Sequence, residues 1–334
     1  MQNSTQVVTF VLSMYADLGQ FKYLYFTLAL LFYLSVIFAN TVLIVIIYMD
    51  RNLHEPMYLF LCSLFVNEIY GSTSLLPCLM AQILSDTHDI SQFYCFLQIF
   101  NIHSYVGIEF GTLTIMAYDR YVCICKPLHY NSIMTKLKVQ TVILIIWSVT
   151  FLEVGVLLSF TIRMEFCKPV IKKVFCAHHL VVELSCSEDR TVSLVHDLVF
   201  GLIISVAAPV TFITYTYIKI LRVCVKGSKE TRMKAVETCS PHLISLISFV
   251  FACFYSLITQ RFDFFSVPYP LCIFLSMYVV IIQPIQNPVM YGFKLSKMRN
   301  AVKNMLTINT QVLHFYGVYL NVIVILPLDI NSHL

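Results

Sequence analysis

The chain has 334 residues, of which 58% are hydrophobic and only 12% charged, with a formal net charge of +4. A soluble globular chain is usually about 45–50% apolar and about 25% charged, so this composition cannot cover a water-facing surface of this size. Disorder is excluded because disordered chains are poor in aromatic residues, and the small net charge does not indicate a nucleic-acid partner. The composition therefore predicts an integral membrane protein in contact with lipids.

Seven apolar runs are long enough to cross the roughly 30 Å hydrocarbon core of a bilayer, which takes about 20 helical residues. Each run is continuous rather than alternating, which favours helices over the strands of a β-barrel. We predict an all-α membrane protein, a seven-transmembrane helix bundle over residues 23–292. The predicted spans are Tyr23–Met49, Met57–Leu84, Cys95–Ile124, Lys138–Ile162, Thr191–Val223, Ala235–Ile258 and Val267–Gly292.

The segments on either side of the bundle are short. Residues 1–22 are predicted to form an extracellular N-terminus, and residues 293–306 an amphipathic helix on the membrane surface, with Leu295–Leu306 as its amphipathic stretch. Residues 307–334 form an atypical apolar tail, in which Leu313–Leu328 is short for an eighth span. The sequence has no internal repeat, which weakens the alternative of a transporter or channel.

The distribution of Lys and Arg predicts the orientation. With the N-terminus outside, 15 of the 22 Lys and Arg fall on the cytoplasmic side and 7 on the outer side. The sequon at Asn3 predicts glycosylation on that outer side. Four of the 12 Cys also lie there, where disulfides persist: Cys95, Cys167, Cys176 and Cys186. We expect a multi-pass plasma-membrane protein with a cytoplasmic C-terminus.

Short motifs at the ends of the spans narrow the class of protein. They are Leu53-His54-Glu55-Pro56-Met57-Tyr58, Met116-Ala117-Tyr118-Asp119-Arg120-Tyr121, Lys126-Pro127-Leu128-His129-Tyr130, Lys234-Ala235-Val236-Glu237-Thr238-Cys239 with His242-Leu243, and Asn287-Pro288-Val289-Met290-Tyr291. Together they resemble the odorant receptors, a branch of the rhodopsin-like (class A) G-protein-coupled receptors. The resemblance runs from about residue 20 to residue 306.

The chain departs from the usual pattern of that family at three places. Ala39-Asn40 replaces the usual Gly-Asn, Glu68 replaces the usual Asp of the second span, and Val250-Phe251 stands where Phe-Tyr-Gly is usual, with Phe254-Tyr255 one turn later. These variants resemble the aquatic-vertebrate subset of the family. They weaken any transfer of pocket residues on the sixth span.

Asp119 and Arg120 lie at the predicted cytoplasmic edge of the third span. By spacing alone, Arg120 could simply extend to the lipid headgroups. The resemblance implies instead a switch, in which Asp119 holds Arg120 until activation frees it to receive a G-protein helix. The residues that it implies for this switch and for coupling are Asp119, Arg120, Tyr121, Tyr217, Asn287, Pro288 and Tyr291, with Asn287-Pro288 as a hinge in span seven.

Glu68 and Glu109 are acids deep within apolar spans. Two carboxylates in such a place cannot both ionise freely, so one keeps a proton or a cation lies between them. The resemblance implies a possible sodium site at Glu68 and Glu109 with Asn40 and Asn287. A protonated, hydrogen-bonded pair without an ion is the alternative, and no other cofactor is expected.

Four Cys permit three disulfide connectivities, and the sequence alone does not choose among them. The resemblance implies the pairs Cys95–Cys176 and Cys167–Cys186. His178 and His179 lie close to these Cys, but their spacing is not a standard zinc pattern.

The ligand site is expected among the outer halves of spans three, five, six and seven. Stripes with helical spacing supply the candidates, although such stripes also form ordinary bundle cores. His103 is the best polar anchor. The candidates are His103, Val106, Gly107, Phe110, Gly201, Leu202, Ser205, Val250, Cys253, Phe254 and Leu257.

The resemblance implies a receptor that binds a small-molecule odorant and activates a stimulatory, olfactory-type heterotrimeric G protein, raising cAMP. A receptor of the same family acting outside the olfactory epithelium is the alternative. The sequence contains no His-Glu-x-x-His, Gly-x-Ser-x-Gly or phosphate-binding loop, so no enzymatic activity is expected.

Overall fold

The computed structural model describes residues 9–15, 19–186, 191, 195, 203–261 and 278–305. Its long helices are α1 (Phe21–Met49), α2 (Pro56–Leu84), α3 (Gln92–Cys125), α4 (Lys136–Thr161), α5 (Ala208–Lys226), α6 (Lys229–Arg261), α7 (Tyr278–Lys294) and α8 (296–305). Helical turns of three to six residues occur at Arg51–Leu53, Pro127–His129, Tyr130–Ile133 and His178–Glu183. The strands in this part of the chain are β1 (Thr9–Leu12), β2 (Asp89–Ser91) and β3 (Val170–Ile171).

Helices α1 to α7 occupy the seven predicted spans. The first four begin and end within three residues of the predicted bounds. Helix α6 starts at Lys229 rather than Ala235, because the charged residues before the apolar run continue the same helix beyond the membrane. Some predicted features lie outside the described residues. They are most of the first part of span five, the first part of span seven, the sequon at Asn3 and the tail 307–334.

Five of the described helical segments are long and apolar enough by themselves to cross a membrane: Phe21–Met49, Pro56–Leu84, Lys136–Thr161, Ile203–Lys226 and Ala235–Tyr255. The outward faces of these helices are apolar and exposed, as at Phe38 and Leu152. Such a surface suits lipid and would not suit water. Helix α3 is longer, with 34 residues, but more polar, because it packs against α2, α4, α5 and α6 and faces protein on most sides.

Local sequence sets several of the helix ends. Ser91 caps the start of α3 by accepting a hydrogen bond from the backbone nitrogen of Tyr94, and Thr135 does the same for α4 at Lys138. Pro56 occupies the first turn of α2, where its missing N–H costs nothing. These caps place the polar ends of the helices at the membrane boundary.

A three-stranded sheet covers the end of the bundle at which α3 begins, the end that the sequence predicts to be the outer one. Strand β1 lies in the centre, antiparallel to β2 with Phe10 opposite Ile90, and parallel to β3 with Leu12 opposite Ile171. Phe10 and Leu12 are buried beneath the sheet. The N-terminal segment is therefore part of the folded outer cap, which the sequence pattern did not indicate.

Three clusters of buried side chains form the core. One contains Phe10, Ile99 and Phe166 beneath the sheet, and the largest, around Tyr105, Phe110 and Phe249, is built mainly on α3, α5 and α6. The third joins mainly α1, α2, α7 and α8 through residues that include Leu61, Tyr291 and Met298.

Candidate functional site

The inner end of α3 carries a buried ion pair. Asp119 is fully buried, and Arg120, which is 8% exposed, donates to it from Nε at 3.0 Å and from Nη2. Tyr130 donates its hydroxyl to the other oxygen of Asp119 at 2.8 Å. Burial and the neighbouring carboxylate of Asp119 raise the pKa of Tyr130, so its hydroxyl keeps the proton that it donates. Arg120 is thus held by the residue beside it in the chain.

The predicted tyrosines lie near the same end but do not bind Arg120. The Tyr217 hydroxyl lies 2.6 Å from Nδ1 of His242, whose Nε2 lies 2.9 Å from the backbone oxygen of Leu113. A carbonyl oxygen can only accept, so Nε2 carries the hydrogen, and in the neutral ring Nδ1 accepts from Tyr217. His242 therefore ties α6 to both α3 and α5. The sequence motif contained His242, but nothing in the motif alone indicated this role.

Tyr291 and Tyr121 complete the inner set. The Tyr291 side chain is fully buried, its ring meets Phe65 edge-on, and its hydroxyl has no hydrogen-bond partner within the described residues. Tyr121 is half-buried, with Lys126 Nζ 5.9 Å from its ring centre. An unpaired buried hydroxyl carries a desolvation cost that a rearrangement of α7 could relieve.

Glu68 and Glu109 meet in the middle of the bundle. Both are fully buried, and Nδ2 of Asn287 donates to both of them, at 3.0 Å to Oε1 of Glu109. The remaining carboxyl oxygens accept from Tyr105, at 3.0 Å, and from Asn67, at 2.9 Å. Each of the four carboxyl oxygens thus has one donor. Two carboxylates that share one amide donor repel each other unless one of them carries a proton or a cation lies between them.

The side-chain nitrogen of Asn40 lies outside the hydrogen bonds of Glu68 and Glu109. Its Nδ2 donates to the backbone oxygens of Val36 and Pro284, both at 2.9 Å. Pro288 has no N–H to bond the carbonyl of Pro284 four residues earlier, so Asn40 replaces that missing donor. Asn40 Nδ2 therefore stabilises the proline-interrupted part of α7, while Asn40 Oδ1 has no hydrogen-bond partner among the described residues.

Several oxygens around the acid pair have no partner within the described residues. They are Oδ1 of Asn67, Oγ of Ser72 and Oγ1 of Thr112, which lie on the helices that carry the two acids. Oxygen donors of this kind are the ligands that hard cations prefer. The residues present therefore fit a sodium ion. The described chain contains no group of three or more His, Cys, Asp or Glu arranged to hold a metal.

Two disulfides tie the outer loop, with the pairing that the resemblance implies. Cys95 at the start of α3 is joined to Cys176, and Cys167 to Cys186. With these sulfurs in disulfides, they are not thiolate ligands for zinc. His178 is instead buried, with Nε2 2.9 Å from Oγ1 of Thr161.

The predicted ligand residues divide into two groups. His103 and Val106 are half-buried, and His103 has its ring 5.8 Å from that of His178. Phe110 lies against Phe249, and Val250 and Cys253 pack in the largest of the three clusters. These candidates face the bundle interior.

The other candidates point elsewhere. A Cβ at Gly107 would lie 2.7 Å from Thr150, so Gly107 faces α4. Phe254 is 62% exposed and shares the outward stripe of α6 with Ile247 and Phe251, because the buried face runs through Phe249, Ala252 and Cys253.

Ser205 donates to Glu153 of α4 and is not directed at α3, and sequence reasoning had missed Glu153. An acid inside an apolar run was the available signal for it. Gly201, Leu202 and the side chain of Leu257 lie outside the described residues.

Seven long helices packed around a buried polar core form a seven-helix bundle, the architecture of a class of multi-pass membrane proteins. The model of the family described as "Olfactory receptor" matches residues 28–309. The human protein "Olfactory receptor 52B2" is 33% identical over 274 residues, 81% of this chain and 84% of the relative. Human "Olfactory receptor 4K1" is 31% identical over 304 residues, 90% and 94% of the two chains. The chain belongs to the olfactory receptor family, whose members are odorant receptors of the plasma membrane and not enzymes.

Proposed function

We propose that this receptor binds a small odorant in the outer half of the bundle and couples binding to a stimulatory G protein at the inner end of α3, raising cAMP. The observation that carries the proposal is the buried pair of Asp119 and Arg120 at the end of a helix that runs the length of the bundle. In the resting form, Asp119 and Tyr130 keep Arg120 from the cytoplasm. Odorant binding favours a form in which Arg120 is released to a G-protein helix.

The hydrogen bonds of the bundle interior support a route between the two ends. Asn287 on α7 joins the acids of α2 and α3, and its Oδ1 accepts from Ser245 on α6 at 2.6 Å. A shift of α6 or α7 therefore disturbs the acid pair and the inner end together. In the released form, we expect Tyr217 to leave His242 and Tyr291 to turn inward, with Pro288 as the hinge.

We place the N-terminus outside and the C-terminus in the cytoplasm. The two disulfides at the N-terminal end of α3 support this orientation, because disulfides persist in oxidising surroundings. The excess of Lys and Arg at the opposite end supports it too. On this orientation, Asn3 is available for glycosylation.

We further propose that Glu68 and Glu109 hold a sodium ion in the resting form, with Asn287 close by. The unpaired oxygens of Ser72 and Thr112 support the proposal. The ion would balance two buried acids that otherwise need a proton. Oδ1 of Asn40, which also has no partner among the described residues, stays a proposed ligand of the ion.

Arg120→Ala tests the coupling. Wild type and variant carry an N-terminal epitope tag, and antibody binding to intact cells reports both the surface level and the outer location of the N-terminus. We expect Arg120→Ala to abolish receptor-dependent cAMP, basal and odorant-stimulated, at an unchanged surface level. Arg163→Ala, at an exposed arginine beyond the outer end of α4, is the control and should signal normally.

The results that would contradict the coupling role of Arg120 and the proposed orientation differ from each other. Full signalling by Arg120→Ala would show that Arg120 is not the G-protein contact. A tag that antibody reaches only after permeabilisation, on a receptor that nevertheless signals, would overturn the orientation and leave the coupling in place.

A further inference from the structure

Glu153 is a carboxylate within the apolar span α4. It is half-buried, and its neighbours along the chain are Leu152 and Val154. An acid in a membrane span is costly, and such groups face the bundle interior and mark sites of function more often than they face lipid. None of the functional residues inferred from the sequence accounts for it.

The packing of α3 on α4 gives the depth of Glu153. A Cβ at Gly111 would touch Ile146, and one at Gly107 would touch Thr150, so the two helices run antiparallel and advance together by one turn. One further helical turn, from Gly107 on α3 and from Thr150 on α4, reaches His103 and Glu153, which therefore lie at about the same depth. Glu153 therefore lies in the outer half of the bundle, at the depth of the predicted ligand site.

The shape of the fifth span turns Ser205 toward this carboxylate. Residues 203–207 form a π-helical turn directly before α5. Pro209 has no N–H for the carbonyl of Ser205, which prevents a regular α-helical turn there. Oγ of Ser205 consequently lies 3.1 Å and 3.4 Å from the two carboxyl oxygens of Glu153.

Ser205 alone does not satisfy the carboxylate. A hydroxyl has one proton to donate, whereas an ionised carboxylate accepts about four hydrogen bonds. Among the described residues Glu153 has no further hydrogen-bond partner and no cation beside it. A group that brings positive charge and N–H donors would complete the hydrogen bonding of the ionised carboxylate.

We propose that Glu153, supported by Ser205, binds the ammonium group of an amine odorant. A protonated amine supplies both the charge and up to three N–H donors that the carboxylate lacks. Val106, half-buried and three residues from His103 on α3, lies close to the same depth and offers an apolar contact for the carbon skeleton of the ligand. The inference rests on the proposed function and names the ligand class of its binding site.

Matched ligand pairs test the proposal. Cells that display the wild type are given straight-chain primary amines of about four to eight carbons and the alcohols with the same skeletons, and cAMP is measured. We expect the amines to act at concentrations at least about tenfold lower than the alcohols, since losing the charge of a buried pair costs at least that much. The comparison uses wild type alone, so it stands even if a variant fails to reach the surface.

Two variants and a control locate the effect. Glu153→Gln keeps the shape and the Ser205 hydrogen bond but removes the charge, and should raise the half-maximal concentration of the amines by about tenfold or more without changing that of the alcohols. Glu153→Asp retains the charge and should keep the preference for amines. Glu183→Gln, at an exposed acid of the outer loop, should change neither.

The results that would contradict the amine assignment differ from those that would contradict the proposed coupling to a G protein. Equal potency of amines and alcohols, or an equal shift of both in Glu153→Gln, would reduce Glu153 to a hydrogen bond between two helices and overturn the amine assignment. In that case Arg120-dependent cAMP would still support coupling. Silence toward every amine together with no Arg120-dependent cAMP would overturn both.

Discussion

At the scale of single residues, Asn287 is the point on which the buried polar network converges. Its amide nitrogen reaches both Glu68 and Glu109, and its oxygen accepts from Ser245. A buried network of this kind is costly when it is only partly satisfied. Loss of one acid therefore changes the balance between the forms of the bundle more than a surface charge would.

Glu109→Gln tests the ion at this site. The substitution removes one charge at nearly constant shape, so the remaining acid binds sodium more weakly and no longer faces a like charge. We expect a change in basal cAMP and a loss of its dependence on external sodium, measured at constant osmolarity. Glu183→Gln is again the surface control.

Identical sodium responses in wild type and Glu109→Gln would contradict the ion site. The protonated pair without an ion would then be the correct description. Basal signalling that differs while sodium has no effect in either receptor would lead to the same conclusion.

At the scale of helices, α3 owes its central position to small residues where its neighbours approach it. Gly107 and Gly111 let α4 lie against it, and Gly71 of α2 makes room for the ring of Tyr105. Small residues allow close packing of membrane helices, where the hydrophobic effect does not hold one helix to another. Tyr105 in turn donates to Glu68, so this packing also orders the polar core.

Gly71→Ala tests this close approach. The added Cβ would collide with the ring of Tyr105, so the ring must shift and its hydrogen bond to Glu68 is disturbed. Overpacking of this kind costs about 1–3 kcal/mol. We expect a lower unfolding temperature of the detergent-solubilised receptor and less receptor at the cell surface.

Gly155→Ala is the matched control for that substitution. Nothing lies within 4 Å of a Cβ at Gly155, and alanine favours a helix more than glycine does. This variant should be as stable as wild type or slightly more so. Equal stability of Gly71→Ala and Gly155→Ala would show that the bundle accommodates a methyl group beside Tyr105 without cost.

At the scale of the whole molecule, the outer cap depends on segments that are far apart in the chain. Strand β1 pairs with β2 and β3, Cys95 is joined to Cys176 at a separation of 81 residues, and the backbone nitrogen of Cys176 donates to Gln98 at 2.8 Å. The cap thereby fixes the outer loop above the level of His103 and Glu153. Its loss would disorder the entrance to the ligand site.

Cys95→Ser tests the role of the cap. Loss of a native disulfide commonly costs about 2–5 kcal/mol, so we expect poor surface delivery or a large loss of odorant response. Cys62→Ser, at a free and partly buried cysteine of α2, is the control. Normal delivery and potency of Cys95→Ser would show that the cap is dispensable.

The sequence by itself determined the class of the protein. Runs of about 20 apolar residues leave no other stable arrangement than helices in lipid, because each backbone polar group must be satisfied within its own segment. The motifs at the span ends, including those around Arg120 and Asn287, then indicated the family, and two acids within apolar runs indicated the acid pair. These features are local in the chain or are carried by residue type, so no tertiary information was needed.

Only the tertiary structure decided which side chains meet. Asn40 donates to the carbonyl of Pro284, which has no N–H partner because of Pro288, and Ser205 donates to Glu153. Gly107 faces α4, and Phe254 faces away from the bundle. In a membrane bundle both the core and the lipid-facing surface are apolar, so hydrophobic periodicity does not distinguish the two faces of a helix. Helix rotation and register follow from proline turns, small-residue contacts and polar pairs between distant segments, and these appear only when the helices are packed together.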